Sequence, residues 1–156
     1  MSVQTTYPDT QPVAVAGAQA TMIPTTLISR TVEVAAVGFG VPVEQGIADK
    51  GCKKFDGGKL LGITALDRSA SGLTVVAGQV TASAPDTFGV GQSALVMTKG
   101  DLWVIAATAV AAGDDVYIRP SNGDFQNDAT NSATVVDGLR WDTTTVAGGL
   151  AVLRMS

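Results

Sequence analysis

The sequence predicts an all-β protein, built as a small antiparallel β-sandwich or barrel, and two observations support this fold class. The 156-residue chain is 46 % hydrophobic and only 5 % aromatic, and its apolar residues are mostly Val and Ala. Small and β-branched side chains of this kind fit short strands packed in layers. Turn signals also recur at short intervals from residue 34 onward, which is typical of antiparallel sandwiches and barrels.

The first predicted element is an extended N-terminal arm over residues 1–33, followed by a β-sandwich domain over residues 34–156. Pro8, Pro12 and Pro24 interrupt the arm, which is rich in Thr and Gln and nearly uncharged. Proline removes a backbone donor and disfavours helical geometry at the preceding residue. The segment shows neither a sustained helical period nor the alternation of a strand, so an extended conformation is expected.

The domain that follows has a β pattern throughout. Glycine and proline interrupt the stretch 37–47, which suits an edge strand or a bulged strand. Residues 73–82 fit either a strand or a loop. Two strands are expected within 86–107, joined by a hairpin-type turn at Lys99-Gly100-Asp101. The remaining predicted strands cover residues 59–66, 114–120, 134–142 and 148–155.

Four aspartates pose the main chemical question of the sequence, because they follow one another closely: Asp114, Asp115, Asp124 and Asp128. Short acidic side chains at strand ends bond to nearby backbone N–H groups and tolerate turn geometry. The oxygen-rich stretch 121–131 lacks the ligand spacing and the distal Glu of a calcium loop. We therefore interpret these carboxylates as turn residues and predict no metal site.

Catalytic chemistry has little support in the composition. The chain contains no His and a single Cys, Cys52, which excludes Ser–His and Cys–His nucleophile pairs and His-ligated zinc. Neither of the two glutamates, Glu33 and Glu44, lies in a pattern that indicates a pocket, so paired-carboxylate hydrolysis is a remote alternative. The neighbouring Lys53 and Lys54 predict a modestly lowered pKa for Cys52, as a surface or half-buried thiol. We predict no enzyme, no catalytic residue and no cofactor.

The charge pattern also bears on partners. The net charge is −4, and the Lys and Arg residues are scattered along the chain, which argues against direct binding of nucleic acid. No apolar run approaches the roughly 18 residues that a membrane span needs, and no signal-peptide pattern is present. Only 15 % of the residues are charged, and a largely neutral surface of this kind is often covered by protein partners.

Short segments in a fixed order along nearly the whole chain resemble one protein family. These segments are QTTY (4–7), MIP (22–24), ISRTVE (28–33), GFGVPVEQG (38–46), LLGIT (60–64), VMTKGDLWV (96–104), VAAGDDVYI (110–118), LRWDT (139–143) and GGLAVLRM (148–155). In this order they resemble the structural cement proteins of tailed bacteriophages, also called capsid decoration proteins. The family has no catalytic motif.

The resemblance implies a β-sandwich or jelly-roll-like domain on the outer surface of a virion, made in the bacterial cytoplasm. Such a protein would bind at junctions between major capsid subunits after the shell expands, and it would stabilise the DNA-filled head. Its implied partners are the major capsid protein and further copies of itself, as a homodimer or a homotrimer.

We hypothesise that the arm makes the capsid contacts, because an extended segment can add a strand to a neighbouring sheet edge. Deleting residues 1–30 is then expected to abolish capsid binding and leave the domain folded. The expected anchors are the large apolar side chains of the arm: Tyr7, Met22, Ile23, Leu27 and Ile28.

A carbohydrate-binding or host-surface-binding module displayed on the virion is the alternative function. Trp103, Trp141 and Tyr117 support it, because aromatic side chains can stack on sugars. It predicts that the isolated domain binds glycans, with the acidic loops making this binding calcium-dependent.

Overall fold

The computed structural model describes residues 14–70, 72–82, 84 and 86–156. Its regular structure is almost entirely β. The strands are β1 (Thr26–Val32), β2 (Val37–Gly38), β3 (Pro42–Gln45), β4 (Gly51–Lys54), β5 (Leu60–Thr64), β6 (Leu73–Val76), β7 (Gln79–Ala82), β8 (Thr87–Phe88), β9 (Ser93–Ile105), β10 (Asp115–Ile118), β11 (Phe125–Gln126), β12 (Thr134–Trp141) and β13 (Leu150–Met155).

Five strands close into a ring of hydrogen-bonded neighbours. Their order is β1-β4-β3-β5-β9, and β9 pairs back onto β1 in antiparallel register. Only the β1–β4 pairing in this ring is parallel, with Thr31 opposite Gly51 and Val32 opposite Cys52. Closure leaves this sheet without the long unpaired edges of an open sheet.

Strand β9 is long enough to serve two sheets. Its first half pairs with β1 and β5, and its second half pairs with β13. The second sheet continues through β12, β10 and β11, and Phe125 of β11 returns to Ala106, directly after β9, through a parallel bridge. The molecule is therefore two small barrel-like units joined by one shared strand.

Each unit has its own apolar core. Neighbouring residues of a strand point to opposite faces, so Val96 of β9 packs into the first core and Met97 packs into the second. The first core contains Val32, Val37, Val43, Cys52, Phe88, Ala94 and Val96. The second core contains Phe55, Ile63, Met97, Leu102, Val104, Ala106, Val110, Val116, Ile118, Phe125, Leu139, Trp141, Ala151, Leu153 and Met155.

The predicted all-β class is confirmed. In the described ranges the only helical segment is a short 3-10 turn over Thr130–Ser132. No described helix has the length and apolarity required to cross a membrane. The stretch that fitted either strand or loop is a hairpin, made of β6 and β7.

The hairpin turn predicted at Lys99-Gly100-Asp101 is wrong, because β9 continues through these residues. Gly100 adopts a left-handed φ of +128°, and the register between β9 and β1 shifts between Thr26 and Leu27. One extra residue in an antiparallel pair bends a strand without reversing it. The extra residue is Thr98, because Met97 pairs with Leu27 and Lys99 pairs with Thr26. The bulge therefore lies just before Gly100, where β9 passes from one barrel-like unit to the other.

The structure also differs from the sequence expectation for the last part of the arm. Residues 26–32 form β1, a strand of the first ring, and Val32 lies in its core. Six residues of β1 pair with β9. Deleting residues 1–30 would therefore remove most of a ring strand, and we now expect this truncation to unfold the domain rather than to leave it folded. The composition concealed the strand because polar residues, Thr26, Ser29 and Thr31, occupy three of its exposed positions.

Candidate functional site

Residues 14–25, here called the strap, lead into β1 along the second half of β9. The Gly17 N–H donates to the Trp103 carbonyl over 2.7 Å, and the Trp103 N–H donates to the Ala18 carbonyl over 2.8 Å. Further along, the Ala20 N–H donates to the Asp101 carbonyl over 3.2 Å. These bonds hold the strap as a short additional partner of β9.

A buried carboxylate fastens the end of the strap. Asp101 is fully buried and accepts hydrogen bonds from the N–H of Thr21 at 3.1 Å and from its hydroxyl at 2.6 Å. The Arg154 guanidinium lies 3.6 Å from the same carboxylate and 2.6 Å from Asp142. Arg140 is 3.2 Å from Asp142. An ion-pair chain thus links the strap to β13 and to the end of β12.

The five predicted contact residues lie in different environments. Tyr7 lies outside the described residues. Met22 is 100 % exposed, Leu27 is 44 % exposed, and Ile23 is half-buried. Ile28 is half-buried against the first core, so part of its side chain stabilises this domain. Met22 and Leu27 are therefore the described members of the set that offer most apolar surface to a partner.

Asp114 and Asp128 use their carboxylates to hold turns, as predicted. Asp114 accepts from the Ala111 N–H at 3.0 Å and from the Asn127 amide at 2.9 Å, and these two bonds lower the pKa of its carboxyl. Asp128 accepts from both the N–H and the hydroxyl of Thr130. Within the part of the chain that the structure describes, no three Cys, Asp or Glu side chains are grouped to hold a metal ion.

Glu44 also has a structural role. Its side chain is buried. The carboxylate accepts hydrogen bonds from the N–H groups of Asp56 and Gly58 at 3.0 and 2.7 Å, and the Lys53 ammonium lies 3.0 Å from it. Burial raises the pKa of Glu44, but the backbone hydrogen bonds and the Lys53 ammonium outweigh it and leave the pKa lowered. The side chain thereby closes the turn between β4 and β5.

The sequence prediction for Cys52 is wrong. The thiol is fully buried in the first core, and burial, followed by the charge of Glu33, raises its pKa to about 11. Alternation along β4 explains the difference, because Cys52 points inward while the Lys53 ammonium pairs with Glu44 on the other face. A thiol in this environment is a packing residue and a poor nucleophile.

The aromatic residues that support glycan binding are only partly at the surface. Trp141 is fully buried in the second core, with its ring 6.4 Å from Phe125 in an edge-to-face arrangement. Trp103 and Tyr117 are half-buried. Trp141 therefore cannot stack on a sugar in this fold, which removes one of the three residues on which that alternative depends.

The family model described as structural cement protein (E217 gp24/Pam3 gp6) matches residues 3–156. This chain belongs to the phage structural cement protein family. The resemblance noted in the sequence is thereby confirmed, and the cement protein is a structural component of a phage virion. The family is a structural one, which agrees with the absence of a catalytic motif from the sequence.

A solved capsid structure shows the same fold for the cement protein. A chain from the capsid of Myoviridae phage XM1 is 17 % identical, with a TM-score of 0.74, and the match covers 100 % of this chain and 98 % of that one. The head fiber gp8.5 N base of bacteriophage phi29 is 13 % identical, with a TM-score of 0.46, over 85 % of this chain and 95 % of that one. No curated protein matches.

Sequence reasoning missed the anchor of the strap. The sequence pattern predicts a turn at Asp101 and assigns no role to Thr21. The two residues lie 80 positions apart, and no local pattern connects them. The only signal was that an aspartate stands within an otherwise apolar strand, since buried carboxylates require partners.

Proposed function

We propose that this cement protein binds the outside of the capsid at junctions between major capsid subunits and stabilises the expanded, DNA-filled head. The observation that carries the proposal is the strap. It is an apolar segment fixed to the domain at Asp101, and it displays a fully exposed Met22 in a protein of the structural cement family.

An anchored strap favours binding for an energetic reason. Segments that order only on binding lose conformational entropy at that moment, whereas preorganised segments do not. Burial of one exposed methionine side chain contributes about 1.5–3 kcal/mol. Such a contact is weak for one molecule, but it becomes significant when many linked copies bind one shell.

The proposed capsid contacts are Tyr7, Met22, Ile23, Leu27 and Ile28, with Met22 and Leu27 contributing most among the described residues. The protein acts on the shell as a homodimer or a homotrimer, without direct contact to nucleic acid. The proposal gives it no catalytic activity. This is supported by the acidic side chains of its loops, which are engaged in turn hydrogen bonds.

Co-sedimentation with heads stripped of this protein tests the proposal, using both expanded and unexpanded heads. We expect saturable binding to expanded heads only, in a fixed ratio to the major capsid subunit, together with greater resistance of the heads to heat. Absence of binding to either form would reject the proposal, and glycan-array binding would then be the next measurement.

Two charge-matched variants locate the contact. Met22→Asp places a charge on the strap, and we expect it to weaken binding because an interfacial carboxylate must lose its water. Val146→Asp is the control, since Val146 is also strongly exposed but lies between β12 and β13. Equal binding by the two variants would remove Met22 from the contact.

A further inference from the structure

The β6–β7 hairpin has one wholly apolar face. In its register Leu73 pairs with Ala82 and Val75 pairs with Val80, and alternate residues of a strand share a face. The resulting apolar face consists of Leu73, Val75, Val80 and Ala82. The opposite face consists of Thr74, Val76, Gln79 and Thr81, which are mostly polar.

The apolar face lies open to solvent. Val80 is 60 % exposed and Ala82 is exposed, while Leu73 and Val75 are 37 % and 38 % exposed. Among the described side chains, neither core includes any of these four. An amphipathic pattern normally directs its apolar face into a core, and an isolated two-stranded hairpin is only marginally stable in water. The pattern therefore indicates a partner outside this chain.

The hairpin is held firmly at one strand only. The Val75 N–H donates to the Val90 carbonyl over 2.6 Å, and Gly89 approaches β6 so closely that a Cβ there would clash with the Leu73 carbonyl. At the tip, a Cβ on Gly78 would meet no atom within 4 Å. Strand β7 is exposed along its length. The hairpin therefore projects from the body in a defined direction.

The hairpin carries no charge. Arg68 and Asp86 are consecutive charged residues in the sequence, so everything between them can lose its water without the penalty of burying an ion. These two residues and Val15 line one cleft of about 580 Å³. The ends of the uncharged segment therefore lie close to the start of the strap.

We propose that the apolar face of the β6–β7 hairpin docks on an uncharged, apolar surface of the capsid shell protein. This inference rests on the proposed function and adds a second contact beside the strap. The shell is favoured over a second copy because the face has only four aliphatic side chains, each of which is partly covered. That patch is far smaller than the about 800 Å² that each partner contributes to a stable interface. A small patch can still contribute to binding when the strap already holds the protein on the shell.

Two variants of β7 provide a matched test. Val80→Asp places a carboxylate on the apolar face, and Thr81→Asp places the same charge on the opposite face of the same exposed strand. Both proteins have the same net charge, and each is first checked for an unchanged circular dichroism spectrum and melting temperature. Binding to stripped, expanded heads is then measured by co-sedimentation at low and high salt.

We expect Val80→Asp to weaken head binding by about tenfold or more, and Thr81→Asp to change it by less than about twofold, since tenfold corresponds to about 1.4 kcal/mol. Wild-type binding should also persist at high salt, because an apolar contact is not screened. Equal binding by the two variants would overturn the inference and leave the proposed function intact. Failure of the wild type to bind would instead reject the proposed function.

Sedimentation equilibrium of the wild type and of Val80→Asp, both without heads, tests whether a second copy of the chain covers the apolar face instead of the shell. If Val80→Asp converts a wild-type oligomer into monomers, the apolar face binds a second copy, and the shell assignment is overturned. If both proteins keep the same mass while only Val80→Asp loses head binding, the shell assignment is supported.

Discussion

The hydroxyl of Thr21 donates a 2.6 Å hydrogen bond to the carboxylate of Asp101, which is fully buried and lies 80 positions later in the chain. This bond joins the end of the strap to the middle of the strand that both barrel-like units share. Because the same carboxylate pairs with Arg154, one side chain couples the strap, β9 and β13. The exposed Met22 directly follows Thr21, so the position of the Met22 side chain depends on the Thr21–Asp101 bond.

Asp101→Ala should destabilise the protein by about 2–3 kcal/mol, because it removes a buried acceptor from several donors at once. Thr21→Val should cost about 1 kcal/mol, since Thr21 is exposed and loses only its hydroxyl bond. Urea denaturation measures both free energies of unfolding. In the Asp101→Ala background, Thr21→Val should have almost no further effect. Additive losses would show that the two residues do not interact.

Raising the pH should destabilise the protein through Cys52. Its pKa is raised from 9.0 to about 11 in the fold, so above pH 9 the unfolded chain loses a proton that the folded chain keeps. Stability should therefore fall by up to about 1.4 kcal/mol per pH unit between pH 9 and pH 11. Cys52→Ala serves as the control, and the wild type should lose more stability than this variant over that range. Parallel pH profiles would contradict the assignment.

Lowering the pH should destabilise the protein through Glu44, whose pKa lies below its ordinary value of 4.5. The stabilisation is complete above the unfolded pKa and is lost as the pH falls through the lower pKa of the folded state. Glu44→Gln should cost about 1–3 kcal/mol at pH 7, because it weakens the acceptor for two backbone N–H groups. Thermal unfolding between pH 3 and pH 7 should show a flatter acid decline for this variant than for the wild type.

Truncations should separate the arm from the barrel. Removing residues 1–13 should leave a cooperatively folding domain, because β1 and the strap remain. Removing residues 1–30 should abolish cooperative unfolding, because most of β1 is lost and β9 is left without that partner. Calorimetry of both proteins tests this expectation. A cooperative transition in the longer truncation would show that β1 is dispensable for the ring.

Head binding is informative only for the protein that lacks residues 1–13, because the protein that lacks residues 1–30 is expected not to fold. If the protein without residues 1–13 folds and binds expanded heads less tightly than the full chain, the arm contributes, and Tyr7 is the first residue to substitute. Undiminished binding would place the capsid contacts on the strap and the domain alone.

The all-β class and the role of the acidic loops were accessible from the sequence because both follow from local chemistry. Val-rich runs between turn residues favour strands, and Asp114 bonds to Ala111, three residues away. The order of short segments along the chain likewise indicated the family. The lack of histidine excluded whole classes of catalysis without reference to any fold.

Contacts between residues far apart in the chain decide three features that the sequence left open: the path of β9, the pKa of Cys52 and the anchor of the strap. The segment Lys99-Gly100-Asp101 fits a turn or a continuous strand equally well, and the choice depends on β1 and β13 lying beside β9. The pKa of Cys52 depends on which face of β4 turns inward, and the Thr21–Asp101 bond exists only because the strap returns to β9. These contacts join residues far apart in the chain, so their energies have no local signature, and they appear only once the rings have closed.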